Sequence, residues 1–109
     1  MKKKIFLAGA GGMLGEAFYH EFLSEYELYC TDKDVNEKWL NFLNFCDKEE
    51  YKSQVLKFKP DYLFHLGAYT DLEYCEKHKI ETIKTNTESV ISAVEISNHL
   101  KIPLLYIST

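Results

Sequence analysis

The chain has 109 residues, a hydrophobic fraction of 46%, an aromatic fraction of 15% and a formal net charge of −4. This length allows one domain with a single core, and the composition is that of a globular chain rather than a disordered one. The acidic balance argues against a nucleic-acid partner, and no apolar run is long enough to cross a membrane.

Strand-like and helix-like segments alternate along the sequence. A first strand is predicted over residues 3–8, and a helix follows from Gly12 to about Ser24. The remaining predictions, in chain order, are a strand at 27–31, a weak strand within 40–45, a helix at 48–58 ended by Pro60, a strand at 61–66, a short helix at 71–78, a helix at 80–100 and a strand at 103–107.

Three of these helices have apolar residues at helical spacing, and on the helix at 48–58 they are Tyr51, Val55 and Phe58. The predicted core faces are Leu14, Ala17, Phe18 and Phe22 on the first helix, and Ile83, Thr87, Val90, Ile91 and Val94 on the last. Part of the last helix is also available for a homodimer of the full-length protein.

This alternation predicts an α/β fold with a doubly wound parallel sheet and right-handed crossovers. We expect the strand order 3-2-1-4-5, with the sheet truncated after the fifth strand and a ligand at the carboxyl ends of the strands near the first. Receiver domains have a similar length and alternation. They need acidic residues after the first strand, where this chain has glycines.

The glycine-rich stretch between the first strand and the first helix carries Gly9, Gly11, Gly12 and Gly15. Glycines at such a junction allow a sharp turn, a close approach of backbone N–H groups to a pyrophosphate, and tight packing of helix on sheet. Phosphates would lie at the helix N-terminus, whose dipole favours anions. A tight turn alone also needs glycine, so a purely structural role stays open.

Asp32 at the end of the second strand is an independent sign of a dinucleotide site. A carboxylate a little over twenty residues beyond the glycine loop can accept hydrogen bonds from the adenosine ribose hydroxyls, and it repels a 2′-phosphate. We therefore expect NAD or NADP as the cofactor, with Asp32 favouring NAD. The positive charge of the adjacent Lys33 weakens this repulsion, and so weakens the discrimination against NADP.

Cysteine and histidine give no sign of a metal centre. Cys30, Cys46 and Cys75 are widely spaced, which suits unlinked thiols in a reducing cytoplasm. The histidines lack metal-ligand spacing, so we expect no metal site. His65, on an apolar strand, is interpreted as a packed core histidine rather than a catalyst.

Taken together, the motifs resemble those of the extended short-chain dehydrogenases/reductases. The loop Gly9-x-x-Gly12-x-x-Gly15 has that family's spacing, and the stretch from Gly67 to Glu76 is similar to the Ala-Ala-Tyr-Thr…Asp/Glu…Glu signature of its dTDP-4-dehydrorhamnose reductase branch. The resemblance implies cofactor contacts from Gly9, Gly11, Gly12, Met13, Leu14, Gly15, Asp32, Lys33, Asp47 (on the adenine), Gly67, Ala68, Tyr69 and Asn86. It also implies that Thr109 helps polarise a substrate carbonyl.

The resemblance implies a cytoplasmic enzyme that reduces a 4-keto-6-deoxy nucleotide sugar for polysaccharide synthesis. The family's catalytic Tyr-x-x-x-Lys does not occur within residues 1–109. We therefore expect these residues to be the N-terminal part of an NAD(P)-binding domain, inactive alone, with the catalytic and substrate-binding part beyond Thr109. Two alternatives remain: a non-catalytic dinucleotide-binding regulatory protein, and an epimerase or dehydratase of the same superfamily.

Overall fold

The computed structural model describes residues 2–66 and 79–107, the side chains of residues 80–85 excepted. Five parallel strands form one sheet in the order β3-β2-β1-β4-β5, which confirms the predicted topology. The strands and helices are β1 (Lys4–Ala8), α1 (Met13–Phe22), β2 (Glu27–Asp32), β3 (Leu40–Phe42), α2 (Lys48–Phe58), β4 (Tyr62–His65), α3 (Lys79–Leu100) and β5 (Leu104–Tyr106).

The register brings the carboxyl ends of the three central strands to one edge of the sheet. Ala8, the last residue of β1, pairs with Thr31 of β2 on one side and with His65 of β4 on the other. The glycine loop leaves β1 at this edge, next to the end of β2. This is the edge at which open α/β sheets bind ligands.

Apolar side chains cover both faces of the sheet, as expected for parallel strands. On one face Phe6 and Leu63 pack with the buried residues of α2 and α3. On the other face Leu7 and Leu66 form a second cluster, against which Phe18 of α1 packs. The fold is therefore a doubly wound, Rossmann-type sheet.

The predicted core face of α3 is wrong at Thr87, Ile91 and Val94, whereas Val90 is partly buried. Thr87 is exposed, and Ile91 and Val94 are 50% and 40% exposed. The residues buried on this helix are instead Ser89, Ser92, Ala93, Ile96 and Ser97. Small side chains let the helix lie close to the sheet, whereas the prediction followed hydrophobicity alone.

The first helix differs from its prediction in a smaller way. Leu14 is 39% exposed and Ala17 is also exposed, while Gly15 is buried and Phe18 partly buried. The helix therefore contacts the sheet through a face that begins at a glycine rather than at Leu14.

The short helix predicted at 71–78 lies outside the described residues. Within those residues, no helix is long and apolar enough to cross a membrane.

Candidate functional site

The turn that follows β1 is fixed by hydrogen bonds to β2. Gly9 has a φ of 80°, a left-handed backbone that favours glycine. The N–H groups of Gly9 and Ala10 both donate to the carbonyl oxygen of Thr31, at 3.0 and 2.8 Å. A Cβ atom added at Gly15 would lie 2.2 Å from the carbonyl oxygen of Ala10, so any side chain there would force the helix away from the turn.

The N-terminus of α1 is open toward solvent. Gly12 is its N-cap, and no side chain of the described residues caps it. A Cβ atom added at Gly12 would meet nothing within 4 Å, and Met13 beside it is 90% exposed. An uncapped, accessible helix N-terminus of this kind is suited to an anion such as a phosphate group.

The Asp32 carboxylate is held directly against this loop. Its Oδ2 accepts a hydrogen bond from the Gly11 N–H at 2.8 Å, and its Oδ1 accepts one from the Asp34 N–H at 3.0 Å. A Cβ atom at Gly11 would lie 2.7 Å from Asp32 Cγ, so only glycine permits this approach. The structure thus joins two of the predicted site residues.

Lys33 directly follows Asp32 in the sequence, and its charge acts on the thiol of Cys46. Burial raises the pKa of the Cys46 thiol, the positive charge of Lys33 partly offsets that rise, and Glu88 adds to it. The Lys33 side chain is exposed. A cation beside Asp32 is therefore present, as the sequence indicates.

Asp47 has a structural function in the described geometry. It is the N-cap of α2, and its Oδ1 accepts a hydrogen bond from the Glu50 N–H at 3.2 Å. The preceding loop reaches the site, because the Leu43 N–H donates to the Asp32 carbonyl oxygen at 3.0 Å. Contact between Asp47 and an adenine stays a prediction.

His65, at the end of β4, is fully buried, which confirms its interpretation as a core histidine. Its Nδ1 lies 2.8 Å from the hydroxyl of Tyr51, and its Nε2 lies 3.3 Å from Oγ of Ser89. Burial lowers the pKa of His65 to about 4 and raises the pKa of Tyr51, so both groups are neutral near pH 7.

Sequence reasoning missed Tyr51 and Ser89 as partners of His65. The sequence predicts Tyr51 only as an apolar position of its helix, and Ser89 lies one turn beyond Asn86 on α3. Ser89, Ala93 and Ser97 recur every four residues along α3, and this stripe of small side chains is the sequence signal that could have found Ser89.

Several predicted site residues lie outside the described residues: Gly67, Ala68, Tyr69 and Thr109. Asn86 is described and is partly buried on α3, where its carbonyl oxygen accepts a hydrogen bond from Ser89 Oγ at 2.8 Å. Within residues 2–66 and 79–107, no group of three or more His, Cys, Asp or Glu side chains is arranged to hold a metal ion.

Solved structures with this fold come from several oxidoreductases and epimerases. The dTDP-4-dehydrorhamnose reductase of Bacillus anthracis, solved in complex with NADP, is 26% identical to this chain with a TM-score of 0.83. The match covers 99% of this chain and 36% of the reductase. L-threonine dehydrogenase of Clostridium difficile is 22% identical with a TM-score of 0.88, and the match covers 99% of this chain and 37% of the dehydrogenase. UDP-glucose 4-epimerase of Thermotoga maritima, solved with UDP-glucose, is 22% identical with a TM-score of 0.82, and the match covers 97% of this chain and 38% of the epimerase.

The chain thus spans little more than a third of the length of these structures. At 22% identity, the likeness to the threonine dehydrogenase and the epimerase shows the fold alone. The sequence matches no curated protein. One protein-family model, described as the RmlD substrate binding domain, matches residues 2–109. Since that match covers nearly the whole sequence, the chain belongs to the RmlD substrate binding domain family.

Proposed function

We propose that residues 1–109 form the N-terminal part of the NAD(P)-binding domain of a nucleotide-sugar oxidoreductase. The observation that carries the proposal is the Asp32 carboxylate, held 2.8 Å from the Gly11 N–H at the edge where α1 begins. In this proposal the N–H groups at the start of α1 donate to the pyrophosphate, and the neighbouring Asp32 carboxylate accepts from the ribose hydroxyls.

The open N-terminus of α1 supports a dinucleotide site at this loop. The pyrophosphate would bind at Gly12 and Met13, where space is open and the helix N-terminus is uncapped by any described side chain. The adenosine ribose would bind at Asp32. When bound, the nicotinamide supplies the hydride for reduction, and the protein supplies its position.

The preference between NAD and NADP depends on the charges at the end of β2. Asp32 is fixed by two backbone N–H groups, so it cannot easily turn away from a 2′-phosphate. We therefore propose that the protein binds NAD more tightly than NADP, and that the neighbouring Lys33 cation makes this difference in affinity smaller. The B. anthracis reductase, with 26% identity, was solved with NADP.

The substrate we propose is a 4-keto-6-deoxy sugar nucleotide. Hydride would pass from the nicotinamide to its carbonyl carbon, and a proton would pass to its oxygen. The family match and the 26% identity to a dTDP-4-dehydrorhamnose reductase support this substrate. We place the enzyme in the cytoplasm, in polysaccharide synthesis, as a homodimer of the full-length protein.

Cofactor binding tests the proposal most directly. In the protein expressed from its complete coding sequence, NADH and NADPH binding would be titrated by calorimetry, with Asp32→Asn as the test variant. We expect NADH affinity to fall at least tenfold, which equals about 1.4 kcal/mol, and the discrimination against NADPH to shrink. Asp34→Asn is the matched control, because Asp34 reaches Asp32 through its backbone N–H.

The outcomes separate the alternatives. Absence of binding to either cofactor in the wild-type protein would refute the proposal. Binding with an unchanged affinity in Asp32→Asn would show that the ribose lies elsewhere. Binding without turnover of a 4-keto sugar nucleotide would favour the regulatory protein, and interconversion of sugar epimers would favour an epimerase.

A further inference from the structure

We propose that His65 is a positioning residue, which holds the turn of α3 carrying Asn86 against the carboxyl end of β4. Its effect on the cofactor rests on the proposed dinucleotide function, whereas its effect on α3 does not. The proposal starts from a buried polar chain that connects α2, β4 and α3: Tyr51, His65, Ser89 and the carbonyl group of Asn86.

The three hydrogens of this chain have one arrangement that satisfies every group. Ser89 Oγ donates to the Asn86 carbonyl oxygen at 2.8 Å, so it has no hydrogen left for the histidine. His65 Nε2 must then carry the hydrogen and donate to Ser89 Oγ. Nδ1 is left as the acceptor for the Tyr51 hydroxyl at 2.8 Å. The ring is therefore the neutral Nε2–H tautomer.

Among the described residues, any other arrangement leaves a buried group without a partner. If His65 carried its hydrogen on Nδ1, the Tyr51 hydroxyl would lose its only acceptor among the described residues. Tyr51, His65 and Ser89 are each 0–1% exposed, so water offers no ready replacement. A buried donor without an acceptor destabilises the folded protein. Hydrogen-bond donation therefore runs in one direction, from Tyr51 through His65 and Ser89 to α3.

The position of His65 connects this chain to the glycine loop. His65 pairs in register with Ala8, and the N–H of the next residue, Leu66, donates to the Ala8 carbonyl oxygen at 2.8 Å. Ala8 directly precedes Gly9, which turns the loop. One residue therefore joins the start of the glycine loop, through the sheet, to the turn of α3 that carries Asn86.

The two partners of His65 differ in what they reach, and this difference gives the test. Ser89 continues the hydrogen-bonded chain to Asn86, whereas among the described residues Tyr51 ends it in the core beside Phe6. Ser89→Ala and Tyr51→Phe each remove one hydrogen-bond partner of the same buried ring. Only Ser89→Ala cuts the link to α3, so Tyr51→Phe serves as the matched control.

Two measurements on the protein expressed from its complete coding sequence decide the question. In Ser89→Ala we expect amide hydrogen exchange to speed up at residues 86–90 relative to the rest of α3, and NADH to bind about fivefold more weakly. In Tyr51→Phe we expect both quantities to stay within about twofold of the wild-type values, although its overall stability falls as well. His65→Gln, whose Nε2 can still donate to Ser89, should keep most of the NADH affinity.

The two readouts keep this proposal separate from the proposed function. If Ser89→Ala and Tyr51→Phe change exchange and affinity equally, or if Ser89→Ala changes neither, His65 is a core residue only and the inference is wrong. If the wild-type protein binds no nicotinamide cofactor, the proposed function fails. Selective exchange at residues 86–90 in Ser89→Ala would then still support the positioning of α3.

Discussion

The N–H of Gly11 donates to Asp32 Oδ2 at 2.8 Å, joining the glycine loop to the end of β2. The second oxygen of the same carboxylate accepts from the Asp34 N–H, so each oxygen of the Asp32 side chain is held by a backbone N–H group. This contact makes the loop and the acidic residue one unit rather than two separate motifs. Changes in the loop should therefore affect ligand binding and stability in distinguishable ways.

Gly15 is the loop position where an added methyl group should cost most stability. Its Cβ would lie 2.2 Å from the Ala10 carbonyl oxygen, so α1 would have to shift away from the turn. We expect Gly15→Ala to lower the free energy of unfolding by about 2–4 kcal/mol, measured by urea denaturation.

Gly12→Ala is the control for that measurement. A Cβ atom there meets nothing within 4 Å, so the unfolding free energy should change by less than about 1 kcal/mol. The same methyl group would occupy the open space proposed for the pyrophosphate, so NADH affinity should fall. Equal stability losses in the two variants would contradict the loop geometry.

The aromatic cluster under β1 should contribute strongly to stability. Phe6 is fully buried and stacks on Tyr29 with a centroid distance of 5.2 Å, and Phe58 meets it edge-on at 6.3 Å. We expect Phe6→Ala to lower the unfolding free energy by about 3–5 kcal/mol, because it removes a large buried side chain and leaves a cavity.

Phe42→Ala is the matched phenylalanine control, since Phe42 is 61% exposed on the edge strand β3. Its loss should change the unfolding free energy by about 0.5 kcal/mol or less. A similar midpoint shift in both variants would show that the sheet face does not form the core described above.

The sequence predicts the sheet well because the strands carry uninterrupted apolar runs separated by strong turn residues. It also predicts the neighbourhood of Gly11 and Asp32, since a spacing along the chain becomes a contact once β1 and β2 are parallel. Spacing cannot predict which oxygen meets which N–H, nor that a Cβ at Gly11 would clash with the carboxylate.

The face of α3 could not be predicted because hydrophobicity and packing disagree there. Ala93 and Ser97 are buried because they are small, while the larger Ile91 is half exposed. The polar chain through His65 was missed for the same reason. A histidine in an apolar strand reveals burial, but its partners depend on how closely the helices approach the sheet.

The two described cysteines should differ sharply in reactivity. Cys30 is 1% exposed, and burial raises its pKa to about 12, whereas Cys46 is exposed. In a Cys75→Ser background we expect a thiol reagent to label Cys46 at least about a hundredfold faster than Cys30. Comparable rates under native conditions would show that β2 is not packed as described.

The labelling rate of Cys46 should also respond to Lys33. Because the Lys33 charge lowers the pKa of this thiol, Lys33→Gln should slow its labelling at pH 8. Glu88 has the opposite effect, so Glu88→Gln should speed it. Mass spectrometry of the labelled peptide assigns the site, and rates that move in the same direction in both variants would contradict the charge arrangement.

The buried His65 should make stability depend on pH in a defined window. Its pKa falls from 6.5 in the unfolded chain to about 4 in the folded protein, because burial disfavours the charged ring. Below pH 6.5 the unfolded state takes up a proton that the folded state does not, so stability falls as the pH falls, and this effect ends near pH 4. The full loss is about 3 kcal/mol, of which about 1 kcal/mol appears between pH 7 and 5.5.

The pH interval from 7 to 5.5 is the informative one, since most carboxylates titrate below it. Urea denaturation would be compared for the wild-type protein and His65→Gln, which retains every other titratable group. We expect the wild type to lose about 1 kcal/mol more than the variant across this interval. In parallel, the ¹⁵N resonances of the His65 ring should remain those of the neutral Nε2–H tautomer at pH 5.5. Equal pH slopes for both proteins, or a protonated ring at that pH, would show that His65 is accessible to water and would contradict the closed chain from Tyr51 to Asn86.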